Sequence, residues 1–444
     1  MSESNTSQPQ RFNRTVALNM VIGNMVGTGV FTSIGFQVKA DAIPDPFTIL
    51  VIWIAGGALA FCGALSYAEV ATTYPKSGGE YSFLSRLYHP VVGLMSGWVS
   101  IVVGFSAAIA ALAKAAASYL LPVFQSLLPA ISLKALGTGF IALAIAIQFL
   151  GNKQSGKAQI LLTSLKLAFI AFLIVSAWTS GDARGISLGD FSPNETSWGM
   201  IGSAAFAGSL VWVMYAYSGW NASTYIVEQL VNPRRDLIAS VLWGTVIVTV
   251  LYALLNASFL HVIPMNELAG KMDPGNMLVE SVFSKNYLQL FSLFFGLTLL
   301  AGMNAMFIAG PRVAQQIGKD YPALGTLGFE NSKGVPTRAL GLISAITIFL
   351  FLALPFETIV EYTGVTLSLF SMLTVTGVFI IRIRKAHLPT SIKAWGYPIT
   401  PLIFIGFSLW MIWFFVRSNP WLILWSLITL TPSIALYFLV NRQK

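Results

Sequence analysis

The chain has 444 residues, 55% of them hydrophobic and only 10% charged, with a mean hydropathy of +0.73. A soluble domain carries about 25% charged residues, and apolar runs of about 20 residues recur here along the whole length, so soluble folds are excluded and an all-α integral membrane protein is predicted. The net charge of +9 reads as basic loops beside a bilayer rather than as a nucleic-acid surface.

About twelve spans are predicted, at 15–40, 46–74, 90–121, 131–150, 157–179, 198–228, 237–263, 286–313, 337–355, 358–382, 398–416 and 421–440. Residues 1–12 form a polar tail. The first apolar segment, roughly Val16 to Phe36, exceeds a signal-peptide core and lacks a small-residue cleavage site, so it is read as a span. Pro44, Pro46, Pro75, Pro90, Pro122, Pro233, Pro264, Pro336, Pro355 and Pro420 sit at or near the joints, where proline belongs. The longer connections, near 264–286 and 314–336, have room only for short surface helices. Arg14, Lys76, Arg86, Arg234, Arg235, Arg312, Lys319, Arg382 and Arg384 gather on the side of the N-terminus. Lys134, Arg184, Lys271, Lys285 and Arg417 fall on the other. That bias predicts both termini in the cytoplasm.

Two spans carry their own breakers. The first contains "IGNMVGTGVF", Ile22 to Phe31. Each glycine inside a helix costs about 1 kcal/mol relative to alanine. Gly23 and Gly27 form a GxxxG pair, which serves close helix packing. Packing does not explain Gly29, and Gly27-Thr28-Gly29 fits a local unwinding better. Freed backbone N–H groups cannot stay unpaired in hydrocarbon. With the positive dipole end of the following half-helix, from about Val30, they suit a carboxylate. The sixth span is broken at Tyr217-Ser218-Gly219-Trp220-Asn221. The half-helix before it, about Met200 to Tyr215, ends in carbonyls that suit an ammonium group. The two breaks together would hold the zwitterionic part of an amino acid. They lie five spans apart, which inverts one copy relative to the other. Paired interrupted helices in inverted halves point to a secondary transporter's binding site. The expected division is 13–180 for helices 1–5, 198–385 for helices 6–10, and 396–444 for two additional helices.

"IGNMVGTGVF", "YPKSGGEYSFL" (Tyr74 to Leu84), "YAYSGWNASTYIVEQLVNPRRDL" (Tyr215 to Leu237) and "WGYPITPLIFI" (Trp395 to Ile405) resemble signatures of permeases of the amino acid–polyamine–organocation superfamily. The "YSGWN" form, followed by Glu228 and Asn232-Pro233, is most similar to the L-type amino acid transporter family and its bacterial relatives. The resemblance implies a five-plus-five inverted-repeat fold with discontinuous helices 1 and 6. It implies that Gly27, Thr28 and Gly29 bind the substrate carboxylate. Ser218 and Gly219 match the amino-group site, with Tyr217 and Asn221 in the same break, and Tyr215 matches an aromatic gate. Asn24 stands where relatives often have a small or hydroxyl residue.

Lys166 is the one basic residue well inside the fifth span, about 13 Å from Lys157 at 1.5 Å per residue. Snorkelling is one reading, and function is the other. The resemblance implies that it replaces a sodium ion at the first break. Lys114, nearer the outer end of the third span, is read as snorkelling. Asn304 and Tyr252 are candidates for the cavity wall. Glu69 and Glu228 are expected to form salt bridges at the inner ends of their spans. His89, His261 and His387 make no metal-ligand cluster.

No acidic or basic residue falls within either break, so the expected substrate is a neutral L-amino acid. The expected mechanism is sodium-independent exchange by alternating access. Proton-coupled amino acid or amine symport, or a non-transporting sensor of the same fold, are the alternatives. An enzyme is not expected, because no HExxH, intramembrane aspartate pair or Ser–His constellation occurs. No cofactor, metal or nucleic acid is implied. Animal L-type transporters are disulfide-linked to a glycoprotein through a loop cysteine. Cys62, the only cysteine, lies in a predicted span, so no such heavy chain is expected. The short tails and loops point to the inner membrane of a prokaryote.

Overall fold

The computed structural model describes residues 12–39, 43–76, 78–149, 156–180, 184–283, 287–385, 392–418 and 420–441. Its helices, in chain order, begin with α1 (Arg14–Met25), α2 (Thr28–Gln37), α3 (Pro46–Thr73), α4 (Gly79–Leu87), α5 (Pro90–Val99) and α6 (Ala108–Leu127). They continue with α7 (Leu133–Phe149), α8 (Gly156–Thr179), α9 (Glu195–Met200), α10 (Ala204–Tyr217), α11 (Pro233–Val262) and α12 (Met265–Leu268). The last are α13 (Pro274–Val282), α14 (Leu288–Asp320), α15 (Thr337–Ala353), α16 (Phe356–Ile383), α17 (Ile399–Ser418) and α18 (Trp421–Asn441).

Seven of these spans are long and apolar enough to cross a bilayer, an eighth is a bent pair, and four shorter apolar helices accompany them among the described residues. Each falls on one of the twelve predicted segments. The chain is an all-α membrane protein with broken first and sixth spans.

Local chemistry sets the ends. Asn13 accepts from Val16 N at the start of α1, and Asp45 accepts from Thr48 N just before Pro46 opens α3. Both satisfy N–H groups that a helix start leaves orphaned. The sixth span begins later than predicted. Residues 198–200 belong to α9, and the segments Gly189–Met200 and Ala204–Val227 bend by 117°. Gly202, at φ +92°, makes the turn, and Ser203 caps α10 on Phe206 N. The eighth span runs on as α14 to Asp320, past the predicted end at 313. Ala314, Ile317 and Gly318 are buried there, against the 3-10 turn Pro322–Gly328. Between α5 and α6 the third span winds as a π-helix over Ser100–Ala107, with Ser106 Oγ donating to Ile101 O.

At the N-terminal side, Arg382 of α16 grips Glu69 of α3 with both forks of its guanidinium, at 3.0 and 2.9 Å. Ala394 N donates to the same carboxylate at 2.6 Å. This is the salt bridge expected for Glu69. The Glu228 side chain, like Lys157, His387 and residues 1–11, lies outside the described residues. Lys114 is buried, with its ammonium 4.7 Å from the centre of the Phe351 ring.

Candidate functional site: two broken spans around one cavity

The first break is shorter than the sequence suggests. Only Val26 and Gly27 leave helical geometry, and Thr28 and Gly29 already form the first turn of α2. The donors of that turn are therefore aimed along the α2 axis, with the helix dipole behind them. Thr32 Oγ1 donates to Thr28 O one turn on, at 2.8 Å. At the sixth span, helix continues through Tyr217, and the chain turns at Ser218 and at Gly219, whose φ is +101°. A 3-10 segment, Ala222–Gln229, follows.

Glycine is required at both breaks for closeness of approach. A Cβ on Gly29 would stand 2.4 Å from Cα and Cβ of Ala216, and one on Gly219 would stand 3.0 Å from Asn24. So α2 touches α10, and the second turn touches α1. A cavity of about 60 Å³ opens between them. Gly23, Asn24 and the 25–29 break line one side, with Tyr215, Ala216 and Ser218 from the sixth span. Apolar residues close much of the rest, most of them small: Ala108 and Leu112 of α6, and Ala301, Gly302, Ala305 and Met306 of α14, with Thr163 and Lys166 from α8.

The orphan carbonyls at the end of α1 meet specific donors. Lys166 Nζ, buried although α8 exposes much of its surface, donates to Val26 O at 3.1 Å. Tyr252 Oη of α11 lies 2.6 Å from Met25 O and 3.1 Å from Ala216 O. Lys166 borders the cavity and meets no carboxylate among the described residues. Tyr215 hangs over the α2 terminus, its hydroxyl 2.9 Å from Thr28 Oγ1. Outward of it, Phe36 stacks on Trp212 at 4.7 Å, and Lys39 pairs with Glu357 at 2.6 Å.

Gly27, Thr28, Gly29, Asn24, Ser218, Tyr215 and Lys166 all border this one cavity, and Gly219 makes the turn next to Ser218. Asn24 Nδ2 donates to Met20 O at 2.8 Å, one turn back along α1. Tyr217 and Asn221 do not border it. Two residues of helix turn Tyr217 about 200° away from Tyr215. Its hydroxyl donates to Trp53 O at 3.0 Å, and its ring packs on Tyr252. Asn221, beyond the Gly219 turn, reaches Glu80 instead. Tyr252 and Asn304 also stand behind the wall, Asn304 accepting from Gln148 Nε2 at 2.6 Å. Sequence reasoning missed Thr163 and the wall from α6 and α14. The spacing of Ala301 and Ala305, one helical turn apart in a span otherwise rich in Leu and Phe, was the signal available.

Two half-helix termini facing one cavity inside a membrane bundle, with a cation bonded to the broken backbone, define a permease-type carrier. The amino acid permease family model matches residues 12–440, and the chain belongs to that family; it is a transporter rather than an enzyme. It is 27% identical over 436 residues to the mouse (Mus musculus) b(0,+)-type amino acid transporter 1, covering 96% of this chain and 86% of that protein. It is 27% identical over 435 residues to the serine/threonine exchanger SteT of Bacillus subtilis (strain 168), covering 96% and 93%. Identity is 24% over 441 residues to the mouse large neutral amino acids transporter small subunit 2, covering 95% and 79%.

Proposed function

We propose that the protein is a secondary transporter of neutral L-amino acids that works by sodium-independent exchange. The observation that carries this reading is the pairing of donors and acceptors across one cavity. The N–H groups opening α2 meet a carboxylate, and the last carbonyls of α1 and α10 meet an ammonium. The charged side chain on the wall, Lys166, is committed to Val26 O, and a charged substrate side chain left unpaired would be expensive to bury. The alanines and glycine of α6 and α14 favour small side chains. The relatives named as a serine/threonine exchanger and as neutral amino acid transporters support the same class. Lys166 serves in place of a metal cation at the first break, with Tyr215 as the gate. The repeats are 13–180 and 198–385, inverted about the cavity, with 396–444 appended. Both termini face the cytoplasm, in an inner or plasma membrane. Half-buried Cys62, within α3, offers no link to a heavy chain.

A ligand that binds only the folded state raises apparent stability by about 2.7 kcal/mol at a hundredfold excess over Kd. In a thermal-stability screen of purified protein, alanine, serine and threonine should give the largest shifts, and arginine and glutamate none. Labelled substrate should enter proteoliposomes only when unlabelled amino acid is inside, in sodium-free buffer. Uptake into empty vesicles driven by a pH gradient would establish symport instead.

Removing the Tyr215 hydroxyl by Tyr215→Phe deletes one neutral hydrogen bond, worth about 0.5–1.5 kcal/mol. The expected result is a 2- to 13-fold rise in KM for exchange with the melting temperature little changed, about the factor that this energy implies. Tyr215→Ala should slow exchange much further.

A further inference from the structure

One buried acid has no part in the site above. Glu80 opens α4, the short helix between the second and third spans, and is 5% exposed. Burial pushes its carboxyl above the usual carboxylate range, while donors from Tyr67 and Ser371 pull the other way. Its Oε1 accepts from Tyr67 Oη of α3, from Ser371 Oγ of α16 at 3.2 Å, and from Asn221 Nδ2 at 3.4 Å. No Lys or Arg pairs with it among the described residues.

The surroundings are built to bring it there. Gly78 and Gly79 lie at φ +117° and +57°, in the left-handed region that side chains disfavour. A Cβ on Gly79 would stand 2.2 Å from the Tyr225 ring of the 3-10 segment. The rest of α4 is fixed to elements remote from the breaks. Tyr81 Oη donates to Asp320 at the end of α14 at 2.6 Å, and Tyr88 Oη donates to Leu373 O of α16 at 2.7 Å. Thus one oxygen is held by two donors from unbroken spans and one donor from the broken span. Asn221 lies two residues past Gly219, at the N-cap of the 3-10 segment, so a swing of that half of the sixth span about Gly219 pulls it from Glu80.

We propose that Glu80 is the latch that holds the lower half of the sixth span closed on the N-terminal side of the cavity, with Asn221 as its catch. The inference rests on the alternating-access reading, and it adds a positioning residue to it. Opening breaks the Glu80–Asn221 bond while Tyr67 and Ser371 keep the carboxyl in place. Closing restores it without moving α4. The latch uses the acceptor oxygen, so an amide that keeps this oxygen should hold better than a side chain that lacks it.

The test is a labelling rate, which needs no substrate. In a Cys62→Ala background, Ala222→Cys places a thiol on the 3-10 segment, where Ala222 is 5% exposed. Inside-out vesicles are treated with a membrane-impermeant maleimide. Asn221→Ala should raise the labelling rate about 5-fold or more, and Glu80→Ala at least as much. Glu80→Gln should fall between Glu80→Ala and the parent. Adding Asn221→Ala to Glu80→Ala should change the rate no further. Unchanged labelling in Asn221→Ala, or fully additive effects in the double variant, would overturn the latch. The thermal screen of the same variants keeps the two readings apart. Variants that still shift with amino acid but label at the parental rate defeat the latch alone. Loss of every ligand shift in the parent defeats the transport reading alone.

Discussion

Gly29→Ala should abolish amino acid binding. The added methyl would stand 2.4 Å from both Cα and Cβ of Ala216, a distance at which atoms cannot remain. The two half-helices must part, and overpacking of this kind costs about 1–3 kcal/mol. The larger loss is geometric, because the N–H donors at the start of α2 shift relative to the acceptors at the end of α10. The ligand-induced thermal shift should vanish, and exchange in proteoliposomes should fall by about 100-fold or more, the penalty associated with a 1 Å misplacement. Gly27→Ala is the control. Nothing lies closer to a Cβ there than Met25 O at 3.9 Å, so it should keep at least ten times the activity of Gly29→Ala, about 1.4 kcal/mol of difference. Equal losses would mean that backbone freedom, rather than contact between the two breaks, governs the site.

Lys166→Met should separate transport from stability. The ammonium is buried and bonds Val26 O at 3.1 Å. A hydrogen bond from a charged group contributes about 1.5–3 kcal/mol. Removing it frees the end of α1 from α8, and exchange should drop by about 10- to 150-fold, the factor that energy implies. The fold should not suffer equally, because no carboxylate pairs with Lys166 among the described residues, and Met removes the cost of keeping an ammonium out of water. The melting temperature of Lys166→Met should therefore equal or exceed that of the parent. A protein that unfolds while retaining its specific activity would show a packing role only. A strict sodium requirement in the parent would remove the cation-substitute role from Lys166.

The spans were legible because twenty apolar residues in a row have one physical use. The breaks were legible because glycine in a helix is costly and must be explained. Their boundaries were less so. Gly27-Thr28-Gly29 reads as one opened turn, yet only Val26 and Gly27 open, since Thr28 and Gly29 supply the donors of α2. Tyr217 and Asn221 read as site residues from their place in the chain. Helical rotation and the Gly219 turn direct them elsewhere, and neither is visible in one dimension. The π-helix at Ser100–Ala107 has no composition that marks it. Glu80 carries no signal of its own within "YPKSGGEYSFL". Its importance arises only where three distant donors converge on it.

Tyr252 adds a constraint of number. Its hydroxyl stands within reach of Met25 O and Ala216 O, but a hydroxyl has one proton to give. At any moment one of these two chain ends receives it and the other does not. The two broken spans thus compete for a single donor, and a shift that favours one disfavours its counterpart. Met25 O, at 2.6 Å against 3.1 Å for Ala216 O, is the nearer acceptor. A phenylalanine in its place would leave both carbonyls without that donor, and a buried acceptor left unsatisfied costs about 1–3 kcal/mol.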